Sequence, residues 1–361
     1  MFNIRYLYIL LILCIISYLI YIILNNNIIE KVKIYRTFLT TSSDDVNHFL
    51  KTYDGWEHTK FINSLDDFNK KVPIKGFDIP ATMLCDHYEY IYKMCSLGSV
   101  QKQYIPPVID KSVSILENQL LFEKQLSKHL NINKGDSVLD IGCGSGRVAN
   151  CISKIVGCKV YGINIDDYQI KDAKLFAKKN NCDESLFQVH DYNNLPLPFE
   201  DNQFDAIYDV QALTYMRKPN KVFKEIFRIL KPNGIFFISD VALLDKFNKN
   251  SDYHLKLLQG FREVTITGGI WHYKCWENLF ETAGFKIFSS TGKDEIFLIE
   301  KEKAFFMKLL NTINFLSKLY IIPNHIVILL RRLTLHIDDM IVAEKEKLIT
   351  TNWQIIAKKP E

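Results

Sequence analysis

The sequence lacks a strong net charge, since 45 Lys and Arg residues against 41 Asp and Glu residues leave only +4 on 361 residues. So small an excess does not favour a nucleic-acid partner, and the Lys-rich stretch from Lys171 to Lys179 is better explained as the solvated face of a helix. The hydrophobic content of 48% is ample for a core. The length allows one sizeable α/β domain with additions.

Paired cysteines are also absent. There is no Cys-x-x-Cys motif and no histidine at metal-ligand spacing from a cysteine. The eight cysteines are scattered, at positions 14, 85, 95, 143, 151, 158, 182 and 275. Cys85, His87 and Cys95 are close enough in sequence to meet, but buried thiols explain them more simply. The pattern predicts a reduced, cytosol-facing protein without a metal.

Charge is missing from Tyr6 to Leu24, a run long enough as a helix to cross a bilayer. A signal peptide is the alternative, but no Ala-x-Ala-like cleavage site follows. Lys31, Lys33 and Arg36 after the run outnumber Arg5 before it, which favours a cytoplasmic position for the rest of the chain.

The first of four predicted regions, residues 1–30, is therefore a membrane anchor, and we expect the membrane to be that of the endoplasmic reticulum. Residues 31–110 have no sustained period and are predicted to form short helices and loops. Residues 111–290 form the main domain, and residues 291–361 a C-terminal cap.

A glycine-rich turn follows the first predicted strand, Val138–Ile141. Gly142, Gly144 and Gly146 are spaced by two, and a helical segment begins at once. Glycine is needed where the backbone turns sharply and a ligand comes close, because a Cβ would collide with one or the other. The glycine pattern alone is also compatible with a dinucleotide-binding loop or with a tight turn that binds no ligand.

Strands and helices alternate after this loop, which predicts an α/β fold with a mostly parallel sheet covered on both faces. The predicted strands span 159–164, 186–189, 204–210 and 235–239, and the predicted helices 147–156, 168–179 and 221–230. Trp353 to Ala357 is predicted to finish the sheet as an antiparallel edge strand. Ligands of such sheets bind at the carboxyl ends of the strands.

Polar residues at three of those strand ends make the chain resemble the S-adenosylmethionine-dependent methyltransferases, whose fold is the Rossmann-like class I type. Asp140 precedes the glycines, Asn164 ends the second strand and Asp191 follows the third. The resemblance implies S-adenosylmethionine as cofactor, with its amino-acid half near the glycine loop, its ribose near Asn164 and its adenine near Asp191. The implied cofactor-binding residues are Asp140, Gly142, Cys143, Gly144, Gly146, Asn164, Asp191 and Tyr192.

Longer segments are similar to the sterol C-methyltransferases. These segments are Gly162–Ile170, Leu197–Asp205, Lys345–Ile349 and Ala357–Pro360. Asn164 is informative, because most class I methyltransferases have an acid at that position and the sterol family commonly has Asn. The similarity runs from about Tyr88 to the C-terminus. It implies a sterol substrate and a C-terminal cap of the family type.

The aromatic-acidic box of that family is incomplete in this chain. Tyr88-Glu89-Tyr90 is present, but Ile91 and Tyr92 stand where Gly and Trp are expected. The resemblance implies that Tyr88, Tyr90 and Tyr92 line the substrate pocket, where aromatic faces can stabilise a transient carbocation.

The motif after the fourth strand also differs from the pattern of that family. Gln211 and Tyr215 stand where enzymes that methylate carbon 24 of the side chain have Glu and His. Nematode enzymes that methylate carbon 4 of the ring nucleus also lack that acid and carry a Tyr at the position of Tyr215. The methylated carbon therefore stays open between carbon 24 and carbon 4, and Gln211 and Tyr215 are predicted to help choose it.

A base must remove a proton after attack on an alkene. The candidates are Glu89, Asp209 and His272, and each has a plainer explanation: a surface acid, an acid that closes the sheet end, and a structural histidine. Two other functions remain open, an inactive membrane-tethered lipid-binding relative and a methyltransferase for another amphipathic lipid or small molecule. Whether the chain forms a homo-oligomer also stays open.

An amphipathic stripe from Ala304 to Tyr320 begins the cap region. Its apolar positions are Phe306, Leu309, Leu310, Ile313, Leu316 and Tyr320. The stripe predicts either a cap packed on the core or a lid that touches the membrane and admits a sterol, and both can hold.

Overall fold

Seven strands form one sheet in the computed structural model of the chain, which describes residue 36 and residues 39–54, 79, 81–97, 103–182, 185–293 and 296–361. The strands are β1 Ser137–Ile141, β2 Lys159–Asn164, β3 Ser185–Val189, β4 Phe204–Val210, β5 Leu230–Leu243, β6 Lys286–Gly292 and β7 Ile349–Lys358. Their order is β3-β2-β1-β4-β5-β7-β6. The predicted bounds of the second and fourth strands are confirmed.

Helices connect and flank these strands. In the described part of the chain they are α1 Ser43–Asp54, α2 Ala81–Leu97, α3 Ile115–His129, α4 Arg147–Val156, α5 Asp167–Lys179, α6 Pro219–Ile229, α7 Asp252–Thr265, α8 Tyr273–Ala283, α9 Ile296–Lys318, α10 Asn324–Thr334 and α11 Ile337–Lys345. A 3₁₀ turn, Leu213–Tyr215, follows β4.

Strands β1 to β5 pair in parallel, and β7 pairs antiparallel with both β5 and β6. The mostly parallel sheet with one antiparallel strand is thus confirmed. The antiparallel strand lies one position in from the edge, because β6 pairs on its outer side and forms the edge itself. The carboxyl ends of β1, β2 and β4 meet at one edge of the sheet, as parallel strands require.

Both faces of the sheet are covered by helices. One core packs α6 and α8 against the sheet around Phe223, Trp276 and Phe280. The other packs α3, α4 and α5 around Phe122 and Ile152. The strands are buried on both sides, which explains why they read as continuous apolar runs.

The C-terminal helices α9 and α10 pack with α1 and α2 in a separate apolar cluster beside the sheet. Phe306 and Ile313 of the predicted stripe are buried in this cluster. Tyr320, the last residue of the predicted stripe, is not part of this cluster and is almost fully exposed. The stripe therefore serves mainly to pack the cap on the rest of the protein.

The predicted N-terminal anchor, residues 1–30, lies outside the described residues. Within the described ranges, none of the helices has both the length and the apolar content needed to span a membrane.

Candidate active site

The glycine loop after β1 has left-handed backbone conformations at all three glycines. Their φ angles are +74° at Gly142, +52° at Gly144 and +67° at Gly146. The amides of Gly142 and Cys143 both donate to the carbonyl of Ile163 on β2, at 2.9 and 3.0 Å. This fixes the loop across the ends of β1 and β2, and Gly146 then begins helix α4.

A cleft opens in front of this loop. It encloses about 1070 Å³, counting the part that is open to solvent. Its lining includes seven of the eight residues predicted to bind the cofactor, namely Asp140, Gly142, Cys143, Gly144, Asn164, Asp191 and Tyr192. Gly146 is the exception, because it faces Phe187 and Ala173 in the protein interior.

Asp140 is the buried acid of the cleft. Burial raises the pKa of its carboxyl to about 7, although the hydroxyl of Tyr208 donates to it at 2.7 Å and lowers the pKa in part. A carboxylate in this position would gain from a cationic ligand such as an ammonium group, because its charge is otherwise poorly solvated.

The other polar groups of the cleft are held by local hydrogen bonds. The side-chain amide of Asn164 donates to Gln169 at 2.9 Å. Asp191 forms an ion pair with Arg217 at 2.5 Å, and the hydroxyl of Tyr192 donates to the carbonyl of Ala212 at 2.6 Å. These contacts orient the cleft wall before a ligand arrives.

Two tyrosines of the cleft lining contact each other. The hydroxyls of Tyr88 and Tyr215 are 2.6 Å apart, and their rings cross edge to face with centroids 6.3 Å apart. Burial raises the pKa of Tyr88 to about 12 and holds that of Tyr215 well above its usual value. Both hydroxyls are therefore neutral at ordinary pH, and the pair presents aromatic surface to the cleft.

Gln211 lines the cleft, but both ends of its side-chain amide are engaged elsewhere. Its oxygen accepts from the amide of Ile105 at 3.0 Å, and its nitrogen donates to the carbonyls of Ile105 and Thr351 at 2.9 and 3.0 Å. Gln211 thus ties the segment before α3 and strand β7 to the end of β4, and its catalytic role stays a prediction.

Asp209 is not a residue of the cleft lining, contrary to its predicted role as a base. It is fully buried beneath the 3₁₀ turn and accepts from the amides of Ala212 and Leu213, both at 3.0 Å. Burial and the neighbouring Asp240 raise its pKa well above the usual range. Asp209 therefore holds the turn that carries Tyr215 and does not meet a substrate.

His272 and Glu89 also lie away from the cleft. His272 precedes α8 and caps it by accepting from the amide of Lys274, with its other ring nitrogen 3.3 Å from Asp245. Glu89 lines a separate polar pocket that includes His48 and Asp86. Neither residue is placed to act as a base at the glycine loop.

The remaining predicted substrate residues are divided. Tyr90 packs on Phe49, with ring centroids 4.8 Å apart, on the side of α2 away from the cleft. The side chain of Tyr92 lies outside the described residues. Of the two described tyrosines of the incomplete box, Tyr88 lines the cleft and Tyr90 does not.

Several lining residues were not predicted from the sequence. Gln103 and Tyr104 come from the segment before α3, and the hydroxyl of Tyr104 donates to the buried Glu123 at 2.8 Å. Arg147 also reaches the cleft and pairs with Asp172 at 3.0 Å. For Gln103 and Tyr104 the sequence carries no signal, because their segment has no period and is distant from the glycine loop along the chain.

Comparison with known proteins agrees with this site. Residues 132–284 match the family model described as a methyltransferase domain. The chain is 29% identical over 267 residues to the sterol 24-C-methyltransferase ERG6 of Saccharomyces cerevisiae, covering 66% of this chain and 68% of the yeast protein. It is 34% identical over 213 residues to the sterol 24-C-methyltransferase of Pneumocystis carinii, covering 58% and 55%.

A solved structure supports the fold alone. The putative sarcosine dimethylglycine methyltransferase of Galdieria sulphuraria superposes with a TM-score of 0.61 at 18% identity, covering 76% of this chain and 98% of that protein. The fold, the glycine loop and these matches together define an S-adenosylmethionine-dependent methyltransferase of class I. Among such enzymes, the chain is similar in sequence to the sterol 24-C-methyltransferases named above.

The described residues fit the cofactor of this class. At Gly144 an added Cβ would meet no atom closer than 3.4 Å, so the backbone here faces open cleft. Asp140 suits the ammonium of the amino-acid half, while the Asn164 amide suits ribose hydroxyls. When bound, S-adenosylmethionine supplies an activated methyl group to an electron-rich acceptor. The chain itself contributes a preformed wall that orients the two partners.

Proposed function

We propose that the protein methylates carbon 24 in the side chain of a sterol. The curated relatives bear the name sterol 24-C-methyltransferase, which favours carbon 24 over carbon 4 of the ring. Because the matched part covers between 55% and 68% of those two relatives, the substrate and the complete activity are proposed on this support.

The observation that carries the proposal is that the Tyr88–Tyr215 pair lines the same cleft as the glycine loop. An alkene that accepts a methyl group develops positive charge, and an aromatic face stabilises a desolvated cation by roughly 0.5 to 2 kcal/mol. The 3₁₀ turn that carries Tyr215 is held by the buried Asp209 and by Asp240, whose carboxyl accepts from the amide of Thr214 at 3.0 Å. The rings are thus kept in place for the acceptor carbon.

The experiment is a methyl-transfer assay with isotope-labelled S-adenosylmethionine and two sterols, one with a double bond at carbon 24 and one saturated there. We expect label only in the first sterol, at carbon 24 by mass spectrometry. Label at carbon 4, or no transfer to either sterol by a folded protein that binds the cofactor, would contradict the proposal.

Two variants of Tyr88 separate the contribution of its ring from that of its hydroxyl. Tyr88→Phe keeps the aromatic face and loses the hydroxyl contact, whereas Tyr88→Leu loses the face. We expect Tyr88→Leu to lower kcat by at least about tenfold and Tyr88→Phe to lower it much less. Equal losses would show that the hydroxyl, and not the ring, matters for turnover.

We further propose a membrane location, with the catalytic domain in the cytoplasm at the endoplasmic reticulum. The uncharged run from Tyr6 to Leu24 and the basic residues after it support this orientation. Fluorescence microscopy of the tagged full chain, with protease protection of the C-terminal tag, tests it. A tag protected inside the lumen would contradict the orientation.

A further inference from the structure

The turn between α9 and α10 exposes an unusual amount of apolar surface. Phe315 is 58% exposed, Leu319 50%, Tyr320 98% and Ile321 62%. We call residues 315–321 the cap tip. Isolated exposed apolar residues need no explanation, but three consecutive large ones with a phenylalanine one helical turn earlier form a patch.

The backbone conformation of the cap tip is unfavourable for a tyrosine at position 320. The amide of Ile321 donates to the carbonyl of Leu316 at 3.0 Å and that of Tyr320 donates to Ser317 at 2.9 Å, the pattern that closes a helix with a left-handed residue. Tyr320 is that residue, with φ at +59°. Glycine is the usual residue there, because a side chain strains this conformation. Folding alone does not favour a tyrosine at this position.

The chain on both sides of the cap tip carries charge of one sign. From residue 303 to residue 337 the sequence contains no Asp or Glu, and its five Lys and Arg residues are Lys303, Lys308, Lys318, Arg331 and Arg332. Lys303 pairs with Asp338 and Arg332 with Glu263. Lys308, Lys318 and Arg331 are exposed. The segment 303–337, which carries the apolar tip, is therefore basic.

We propose that the cap tip inserts into the surface of an anionic lipid bilayer. Tyrosine and aliphatic side chains suit the interface between headgroups and acyl chains, and the basic residues suit acidic headgroups. A bilayer fits better than a protein partner, because Tyr320 projects almost wholly into solvent from a convex turn, and a soft apolar medium can surround such a tip. The inference does not depend on the proposed sterol activity.

The cap tip also lies at the end of a continuous apolar path. Ile322 follows it and is buried in the cluster that includes Met83 and Leu84 of α2. Tyr88 and Tyr215 pack on the same cluster and line the cleft. Insertion would therefore bring the membrane to the side of the protein from which a lipid substrate can reach the tyrosine pair.

The test uses the full chain reconstituted in vesicles of phosphatidylcholine and phosphatidylserine that contain a lipid with a photoactivated diazirine on its acyl chain. Trypsin cleaves after Lys318 and Arg331, so the three consecutive exposed residues Leu319, Tyr320 and Ile321 of the tip fall in the peptide 319–331. The control peptide is 287–293, which contains Phe288, a single apolar residue that is 60% exposed on β6. We expect lipid adducts on 319–331 at several times the level on 287–293. Equal labelling of the two peptides would overturn the proposal.

The matched variant is Tyr320→Gly, which suits the left-handed position and should leave the melting temperature unchanged or higher. We expect it to reduce lipid adducts on the 319–331 peptide at least threefold while cofactor affinity stays the same. Pure phosphatidylcholine vesicles should reduce the adducts as well. Absence of lipid adducts on the 319–331 peptide, with adducts on other peptides of the same chain, would overturn the assignment and leave the methylation assay unaffected.

Discussion

Single glycines in the loop after β1 have different roles although they look alike in the sequence. A Cβ on Gly142 would lie 2.2 Å from the Cβ of Ala212, and one on Gly146 would lie 2.7 Å from the ring of Phe187. These two glycines are required by the protein itself. Gly144 faces open cleft, so the need for glycine at this position comes from its left-handed backbone and from a ligand.

Gly144→Val should therefore abolish cofactor binding. The branched side chain would fill the cleft where the loop approaches the ligand, and the left-handed conformation would cost about 1 to 2 kcal/mol of stability. Isothermal titration calorimetry measures the cofactor affinity, and thermal unfolding shows whether the variant is folded. Gly146→Ala is the control, with a larger fall in melting temperature from its interior clash. Unchanged affinity in a folded Gly144→Val protein would contradict the role of the loop.

Gln211→Glu should destabilise the protein and should not create a working base. The substitution removes the donor to the carbonyls of Ile105 and Thr351 and places an anion beside them. Loss of the partner of a buried polar group costs roughly 1 to 3 kcal/mol, and the carbonyl of Ile105 keeps the side-chain amide of Asn352 as a donor. Chemical denaturation measures this loss. Gln211→Glu with unchanged stability and a new methylation position would show that the side chain is free to face the substrate.

Cofactor affinity should depend on pH through Asp140. Burial raises the pKa of its carboxyl to about 7, so the group is charged above that pH and neutral below it. Because the charged form suits an ammonium ligand, affinity should fall about tenfold from pH 8 to pH 6. Asp140→Asn should bind weakly with a flat profile. The same profile in both proteins would show that another group titrates.

The effect of the Asp140 carboxyl on the stability of the fold changes with pH in the opposite direction to its effect on cofactor affinity. The pKa of Asp140 is higher in the folded protein than in the unfolded chain, so the folded state binds more protons between about pH 4 and 7. The stabilising contribution of this group is present at low pH and is lost as the pH rises through about 7. Comparison of unfolding free energies of the Asp140→Asn variant and the unmodified protein across this range isolates it.

The helix α8 depends on its first turn, which His272 caps. His272→Ala should lower the free energy of unfolding by about 1 kcal/mol, because the amide of Lys274 loses its acceptor. His272→Asn should restore most of that stability. Neither variant should change kcat more than twofold in the methyl-transfer assay, since His272 lies outside the cleft. A loss of activity in both variants without a loss of stability would support a catalytic role for His272.

Elements of the sheet were predictable because periodicity and length are local signals. β2 and β4 have their predicted bounds, and α4 begins and ends where the glycines at 146 and 157 place it. β5 was predicted too short, because its turn at Lys231–Gly234 stays within the strand as a bulge next to β4. The position of β7 between β5 and β6 was not predictable, since strand order depends on pairing between distant segments.

Site residues divide along the same line. Asp140, Asn164 and Asp191 were found because each lies within two residues of the end of a strand. The hydrogen bonds of Gln211 were not predictable, because its partners, Ile105 and Thr351, are 106 and 140 positions away in the sequence. The sequence shows the chemistry of a side chain, but it does not show which backbone groups form hydrogen bonds with it.

At the level of the whole molecule, the anchor and the catalytic part should be separable. The described lining of the cleft begins at Leu84, far from residues 1–30. A protein beginning at Lys31 should shift towards the soluble fraction after centrifugation and keep its cofactor affinity within about twofold. Some membrane association should remain because of the cap tip. A mature N-terminus near Asn25 in the native protein, or loss of cofactor binding on truncation, would contradict this separation.

The late position of β7 in the chain has a consequence for synthesis on the ribosome. β5 ends at Leu243 and β7 begins at Ile349, 106 positions later. At 5 to 20 residues per second, a growing chain would leave the apolar flank of β5 without its neighbour for roughly 5 to 20 seconds. Unpaired strand edges of this kind attract other chains. The nascent protein is therefore expected to need chaperones during that interval, and to aggregate when translation stalls between the two strands.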